Sequence, residues 1–269
     1  MRVSRLLRIR CFPLVLVMLH AACASPGGAP GEDSRDRVTA SDQSDASKRA
    51  RVRMELAGAY FGRGQLEDAL DQVKMAIQAD ASLSEAFNLR GLIYASLGDD
   101  KLAEESFRRA LQINARDADA MQNFGWYLCQ RKRFAEAQTQ FEQAIATPQY
   151  RDVARTMLTQ GVCLMQSGQL ELAERSLMRA YEFEPANAGT AYNLADVLYR
   201  RAEYERARFY VRRVNNPAET ASAQSLWLAA RIENKLGQVS ARQDFGIQLR
   251  RRFPTSREAS LFDRGLFNE

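Results

Sequence analysis

The sequence has a single histidine, His20, and it falls within the first 22 of 269 residues. The rest of the chain therefore has no imidazole for proton transfer or metal binding near neutral pH. No glycine-rich phosphate loop, Gly-x-Ser-x-Gly elbow or Cys-x-x-Cys pair occurs, which removes the commonest signatures of nucleotide, acyl-transfer and redox chemistry. Long apolar runs are missing too. Residues 11–19 make a run of 9, about half of what a membrane span needs. Excess charge is also lacking once its location is considered. Of 38 basic residues, four (Arg2, Arg5, Arg8, Arg10) lie in the first ten, which leaves 34 against 33 acidic ones. The pI of about 9.1 is thus no argument for nucleic acid. The reading is of a binding protein rather than an enzyme, with no cofactor, no metal site and no small-molecule substrate.

The start of the chain is organised for export. Four arginines, the short apolar run and the small residues Ala21-Ala22 before Cys23 form a signal-peptide pattern over 1–22. Small residues directly before a cysteine resemble the bacterial lipobox, although His20 stands where leucine is usual. Cys23 is therefore the expected lipidation site and new N-terminus. The alternative is ordinary cleavage near Ala22-Cys23-Ala24, giving a soluble periplasmic protein. Ala24 after the cysteine, by analogy with Gram-negative lipoproteins, points to the periplasmic face of the outer membrane. Residues 23–49 are then the anchor and a tether rich in Pro, Gly, Ser and Asp. As a random coil, the part after Cys23 reaches about 28 Å.

From residue 50 onward the sequence repeats. Ala69, Ala103, Ala137, Ala173, Ala207 and Ala241 recur at steps of 34, with one step of 36. That period is the tetratricopeptide repeat, a pair of antiparallel helices A and B. Six registers begin near Ala50, Ser84, Ala118, Ala154, Ala188 and Ser222, and they predict an all-α right-handed superhelix over 50–255. A small residue on helix A (Ala57, Gly91, Gly125, Gly161, Ala195, Ala229) faces a large one on helix B (Val73, Phe107, Phe141, Leu177, Val211, Phe245). Glycines mark the inter-helix turns at Gly64, Gly98, Gly168 and, one place off, Gly237; Lys132 and Ala202 stand there in repeats 3 and 5. Repeat 6 is the weakest match. Residues 256–269 are expected to cap the end, since solenoid ends need covering.

In this repeat family the inner wall is built from the second, fifth, ninth and twelfth positions of helix A. The candidate partner groove is accordingly Met54, Phe61, Asn88, Leu92, Gln122, Trp126, Tyr192 and Tyr199. Repeats 1 to 3 are its expected main surface, with Tyr60 and Phe61 at one end. A wall this apolar suits an extended or helical peptide; the competing reading is that these side chains pack between repeats. A carboxylate clamp built on Asn88, Asn123 and Asn193 is rejected, because the neighbouring inward lysines or arginines are missing; Asn123 and Asn193 are expected to bond backbone groups. Cys129 and Cys163 fall on facing A helices. They are expected to form a disulfide, the alternative being two buried free thiols.

Taken together, the leader, the polar tether, the six repeats and the stretches Asn123–Cys129, Thr147–Tyr150 and Gly161–Cys163 resemble the type IV pilus biogenesis and stability lipoproteins, the PilF/PilW family of secretin pilotins. The resemblance implies a lipid-anchored outer-membrane scaffold that binds type IV pilus secretin subunits and promotes their localisation and assembly into a ring. An adaptor lipoprotein for cell-wall hydrolases or for outer-membrane protein assembly is the alternative.

Overall fold

The computed structural model describes residues 45–217 and 219–268. The leader, Cys23 and residues 24–44 of the expected tether lie outside them. Among the described residues there are thirteen helices and no strand. Six antiparallel pairs come first: α1 (Asp45–Gly62) with α2 (Leu66–Ala79), α3 (Ser84–Leu97) with α4 (Asp100–Ile113), α5 (Ala118–Gln130) with α6 (Phe134–Ala146), α7 (Val153–Gln166) with α8 (Leu170–Phe183), α9 (Ala188–Arg200) with α10 (Tyr204–Asn215), and α11 (Ala223–Lys235) with α12 (Val239–Arg252). A short α13 (Arg257–Asp263) closes the series. This is the tetratricopeptide superhelix that the period predicts. Helix α1 starts five residues before Ala50, so 45–49 are helix rather than tether.

Each B helix packs on its own A helix and on the A helix of the next repeat, and successive A helices also touch. Successive B helices lie further apart and meet through side chains, as where Tyr181 of α8 meets Tyr210 of α10 edge-on at 5.2 Å, so clefts run between them on the outer side. The core follows the small-against-large rule. An added Cβ at Gly125 would sit 2.9 Å from the Phe141 ring and 3.3 Å from the Ala137 carbonyl oxygen. Only a glycine lets these two backbones approach so closely. Phe107 and Phe141 are fully buried, each contributing about 3 kcal/mol by area. Phe124 stacks on Phe107 at 5.4 Å, and Tyr127 meets the same ring tilted at 5.5 Å.

All six inter-helix turns share one geometry. A residue at positive φ (Gly64, Gly98, Lys132, Gly168, Ala202, Gly237) ends helix A. The amide after it donates back to the carbonyl five residues earlier, as in Arg133 to Leu128 and Gln238 to Glu233. This closes the last turn in the Schellman manner.

Counted from that turn residue, repeat 6 departs from its sequence alignment. The core B positions lie five, nine and twelve residues beyond the turn: Ala137, Phe141 and Ala144 in repeat 3, but Arg242, Gly246 and Leu249 in repeat 6. The shift comes from one added residue in the connection before α11: Ser222, which caps α11, stands 20 residues after Ala202, whereas Asp117 stands 19 after Gly98, and both caps precede their own turn residue by 15. Phe245, expected as the large core residue, is only half-buried, and Gly246 turns inward against the Phe262 ring of α13. Glu233 occupies the site held by Leu128 and its equivalents. It is 1 % exposed, with Arg212 at 3.2 Å and Arg208 at 3.6 Å.

The two extra residues before repeat 4 are absorbed in the loop 147–152. Gln149 takes φ 62°, and the Tyr150 hydroxyl lies 3.4 Å from Asp119 Oδ1 on α5 and 3.2 Å from Thr156 Oγ1 on α7. Asp119 is held above the usual carboxylate range, chiefly by burial and then by Asp117 and Asp152 nearby. At the other end of these two A helices, near the inter-helix turns, Cys129 of α5 and Cys163 of α7 are joined by a disulfide, their Cα atoms 5.9 Å apart and both residues fully buried.

Helix α13 packs on α11 and α12. Its N-cap, Ser256, lies 34 residues after Ser222, the N-cap of α11, and accepts from the Ala259 amide at 3.1 Å. It is a seventh A helix stopped after two turns. Phe267 stacks on Trp227 at 5.3 Å and meets Phe262 edge-on at 5.4 Å, which shields the apolar end of repeat 6.

Candidate partner-binding surface

The A helices α5, α7 and α9 form a concave site. A cavity of about 260 Å³ is lined by Gln122 and Trp126 of α5, Leu158, Thr159 and Val162 of α7, and Asn193 of α9. Its floor is apolar and its rim polar. Gln122 Oε1 accepts from Arg155 Nη2 at 3.1 Å. Asn193 Nδ2 donates to the Gly189 carbonyl at 2.8 Å, which fixes the amide plane beside the opening. Half-exposed apolar surface edged by side-chain amides fits a peptide that presents one apolar side chain and its own backbone groups.

Two of the eight expected groove residues, Gln122 and Trp126, line this site. Met54 and Phe61 instead pack against the core of repeat 1, and Leu92 against the core of repeats 2 and 3. Tyr60, expected beside Phe61, also belongs to the repeat 1 core. Asn88 is buried and accepts from Asn123 Nδ2 at 3.2 Å. Asn123 thus bonds a side chain, not the backbone group expected of it, while Asn193 does bond backbone. Tyr192 is half-buried against the core of repeats 4 and 5, and burial pushes its phenol pKa up. Tyr199 is buried, with the Arg231 guanidinium 4.6 Å above its ring. The cavity therefore joins Trp126 to repeats 4 and 5 and not to repeats 1 and 2. Thr159 was not expected there. The available signal was polarity at the sixth position of three successive A helices: Asn123, Thr159 and Asn193.

Among the described residues no cluster of three His, Cys, Asp or Glu side chains could hold a metal ion, and no helix is long and apolar enough to cross a membrane.

Comparison with known proteins places this geometry. Tetratricopeptide-repeat family models match residues 84–117, 154–187 and 118–147. The crystal structure of PilW, described as a widely conserved type IV pilus biogenesis factor, superposes with a TM-score of 0.73 at 30 % identity, covering 78 % of this chain and 96 % of that one. The chain belongs to the PilF/PilW family of type IV pilus biogenesis proteins. The type IV pilus assembly protein PilF of Pseudomonas aeruginosa is 26 % identical over 209 residues, 78 % of this chain and 82 % of that protein. A solved structure of P. aeruginosa PilF superposes with a TM-score of 0.72 at 25 % identity, covering 82 % of this chain and all of the other. This member of the PilF/PilW family is thus a tetratricopeptide-repeat protein of type IV pilus biogenesis.

Proposed function

We propose that this protein is a lipid-anchored scaffold for the type IV pilus secretin. Acylated at Cys23, it sits at the periplasmic face of the outer membrane. The concave wall of repeats 3 to 5 holds a segment of a secretin subunit, and subunits gather where the ring must insert. Confining partners to one surface raises their effective concentration without new contacts. The role is binding, not catalysis. The observation that carries the reading is the likeness to PilF and PilW over nearly the whole of their lengths; the cavity around Trp126 supports the mode of binding.

The test is the state of the secretin in cells lacking the protein, resolved on a gel that preserves heat-stable multimers, beside a Cys23→Ala strain. The scaffold reading expects multimers to disappear in the deletion. In the Cys23→Ala strain it expects them to persist in the wrong membrane, the anchor supplying place and the repeats supplying assembly. Intact multimers and pili in the deletion would overturn it and favour an adaptor for cell-wall hydrolases or outer-membrane assembly.

A further inference from the structure

The outer face changes sign along the chain. Helices α2, α4, α6 and α8 together carry a net charge of about −5 from their Asp, Glu, Lys and Arg residues, whereas α10 has four arginines against Glu205 and α12 has four against Asp244. The same two helices also leave large apolar groups in water. Phe209 on α10 is 52 % exposed and Ile247 on α12 is 58 % exposed. Each is followed by an arginine pair at i+3 and i+4: Arg212-Arg213 after Phe209, Arg250-Arg251 after Ile247. That spacing puts the apolar group and both guanidinium groups on one helix face, and all six residues are solvent-exposed. No other outer helix has this pattern.

Complementing the helix dipole accounts for arginines in a last turn. It does not account for an exposed phenylalanine or isoleucine one turn earlier, twice. Internal pairing takes up part of the charge. Arg212 reaches Glu233 at 3.2 Å and Arg250 reaches Asp263 at 3.3 Å. Arg213 lies 4.7 Å over the Phe209 ring and donates to the Tyr181 hydroxyl, neither of which neutralises it. Arg251 has no carboxylate partner among the described residues.

We infer that the outer face of α10 and α12 docks on a bilayer containing anionic phospholipid. A bilayer interface offers both things this face presents a need for: phosphate groups at the level of the guanidinium groups, and acyl surface just beneath for Phe209 and Ile247. A soluble polyanion would satisfy the arginines and leave the apolar pair in water. The docking face is on other helices than the concave cavity, so it leaves that cavity open and is independent of the secretin reading. It would give the repeat domain a second hold on the membrane and a defined orientation.

The test uses the full chain with Cys23→Ala, so that no acyl chain is attached there. Co-sedimentation with vesicles of phosphatidylglycerol in phosphatidylcholine, and of phosphatidylcholine alone, measures affinity. Amide hydrogen exchange with and without vesicles locates the contact. Phosphatidylglycerol vesicles should slow exchange at the ends of α10 and α12. Combining Arg213→Glu with Arg251→Glu should abolish that protection and weaken binding by about tenfold or more. Combining Phe209→Ser with Ile247→Ser should weaken it several-fold, with circular dichroism unchanged. Arg108→Glu with Arg109→Glu on α4 should do neither. Exchange at α10 and α12 that is unaffected by vesicles, or protection that survives the arginine reversals, would overturn the inference. So would binding that is lost with the arginines but indifferent to Phe209 and Ile247, since that is the behaviour of a site for a soluble polyanion.

Discussion

Repeats 3 and 6 are built on the same plan and solve it differently. In repeat 3, Leu128 fills the site before the turn, Ala137 and Phe141 fill the B-helix sites, and all are buried. In repeat 6 a single added residue in the connection before α11 puts Glu233, Arg242 and Gly246 at those places. Arg208 and Arg212 answer Glu233, Arg242 bonds Asn234 at 2.8 Å and lies 5.3 Å over Phe267, and Phe262 of α13 fills the space that Gly246 leaves. The lesson is that the turn, not the residue pattern, sets the register. Once the turn moves, charged side chains enter core sites, and neighbouring elements must supply their partners.

The contrast can be broken most severely by exchanging its key residues. Leu128→Glu would bury a carboxylate for which Arg108, lining the same cleft, is already paired with Glu104, and should cost about 3 kcal/mol or more. The reverse change, Glu233→Leu, should lie within about 1 kcal/mol of wild type. The stranded Arg208 and Arg212 side chains are 25 % and 51 % exposed and can turn to water, while the leucine regains apolar burial. A large loss from Glu233→Leu would mean that the ion pair holds the repeat together.

Next in size is close packing. Gly125→Val should cost about 3 kcal/mol, because Phe141 is locked on every side. Gly246→Ala should cost distinctly less although its Cβ would come within 2.2 Å of Phe262, since α13 is a terminal helix of 7 residues that can shift. Urea denaturation with exchange measurements on α13 separates the two. The disulfide is comparable in size. Cys129→Ala with Cys163→Ala should lower stability by about 3 to 4 kcal/mol on the loop-closure view. Exchange should rise first in the last turns of α5 and α7, which the bond ties together. Two alkylatable thiols in denatured, unreduced native protein would contradict the bond itself. Smallest is the turn. Ala202→Gly, at φ 62°, should stabilise by about 0.5 to 1 kcal/mol by relieving left-handed strain, whereas Gly98→Ala should destabilise by a similar amount.

Much of this architecture is legible from residues alone, for a physical reason. Small-against-large pairs such as Gly125 and Phe141 are demanded by helix approach, and glycine at a left-handed turn is demanded by backbone sterics, so both leave marks in sequence. What stays hidden is whatever depends on a neighbour. Phe245 matches the period, but a one-residue shift in the turn hands its place to Gly246, and only Gly237 one place off signals it. Asn88 and Tyr199 satisfy the inner-wall rule, yet the adjacent repeats bury them through Asn123 and Arg231. Thr159 reaches the cavity because α5 and α9 flank it, and its own segment marks this only by a polar residue at the sixth position. The helical turn over 45–49 is polar and reads as tether; it forms because Ala50 and Ala57 anchor α1 on the first repeat and the helix simply extends.

The measurement that bears most directly on the scaffold account places a photo-crosslinking amino acid at Thr159, inside the concave cavity, and separately at Gln140, in the outer cleft between α4 and α6, in cells that make pili. Irradiation followed by detection of the secretin should give an adduct from Thr159 and none from Gln140, and the Thr159 adduct should vanish with Trp126→Ala. An adduct from Gln140 alone, or no secretin adduct from the cavity while pili are assembled normally, would contradict the claim that the inner wall of repeats 3 to 5 holds the secretin.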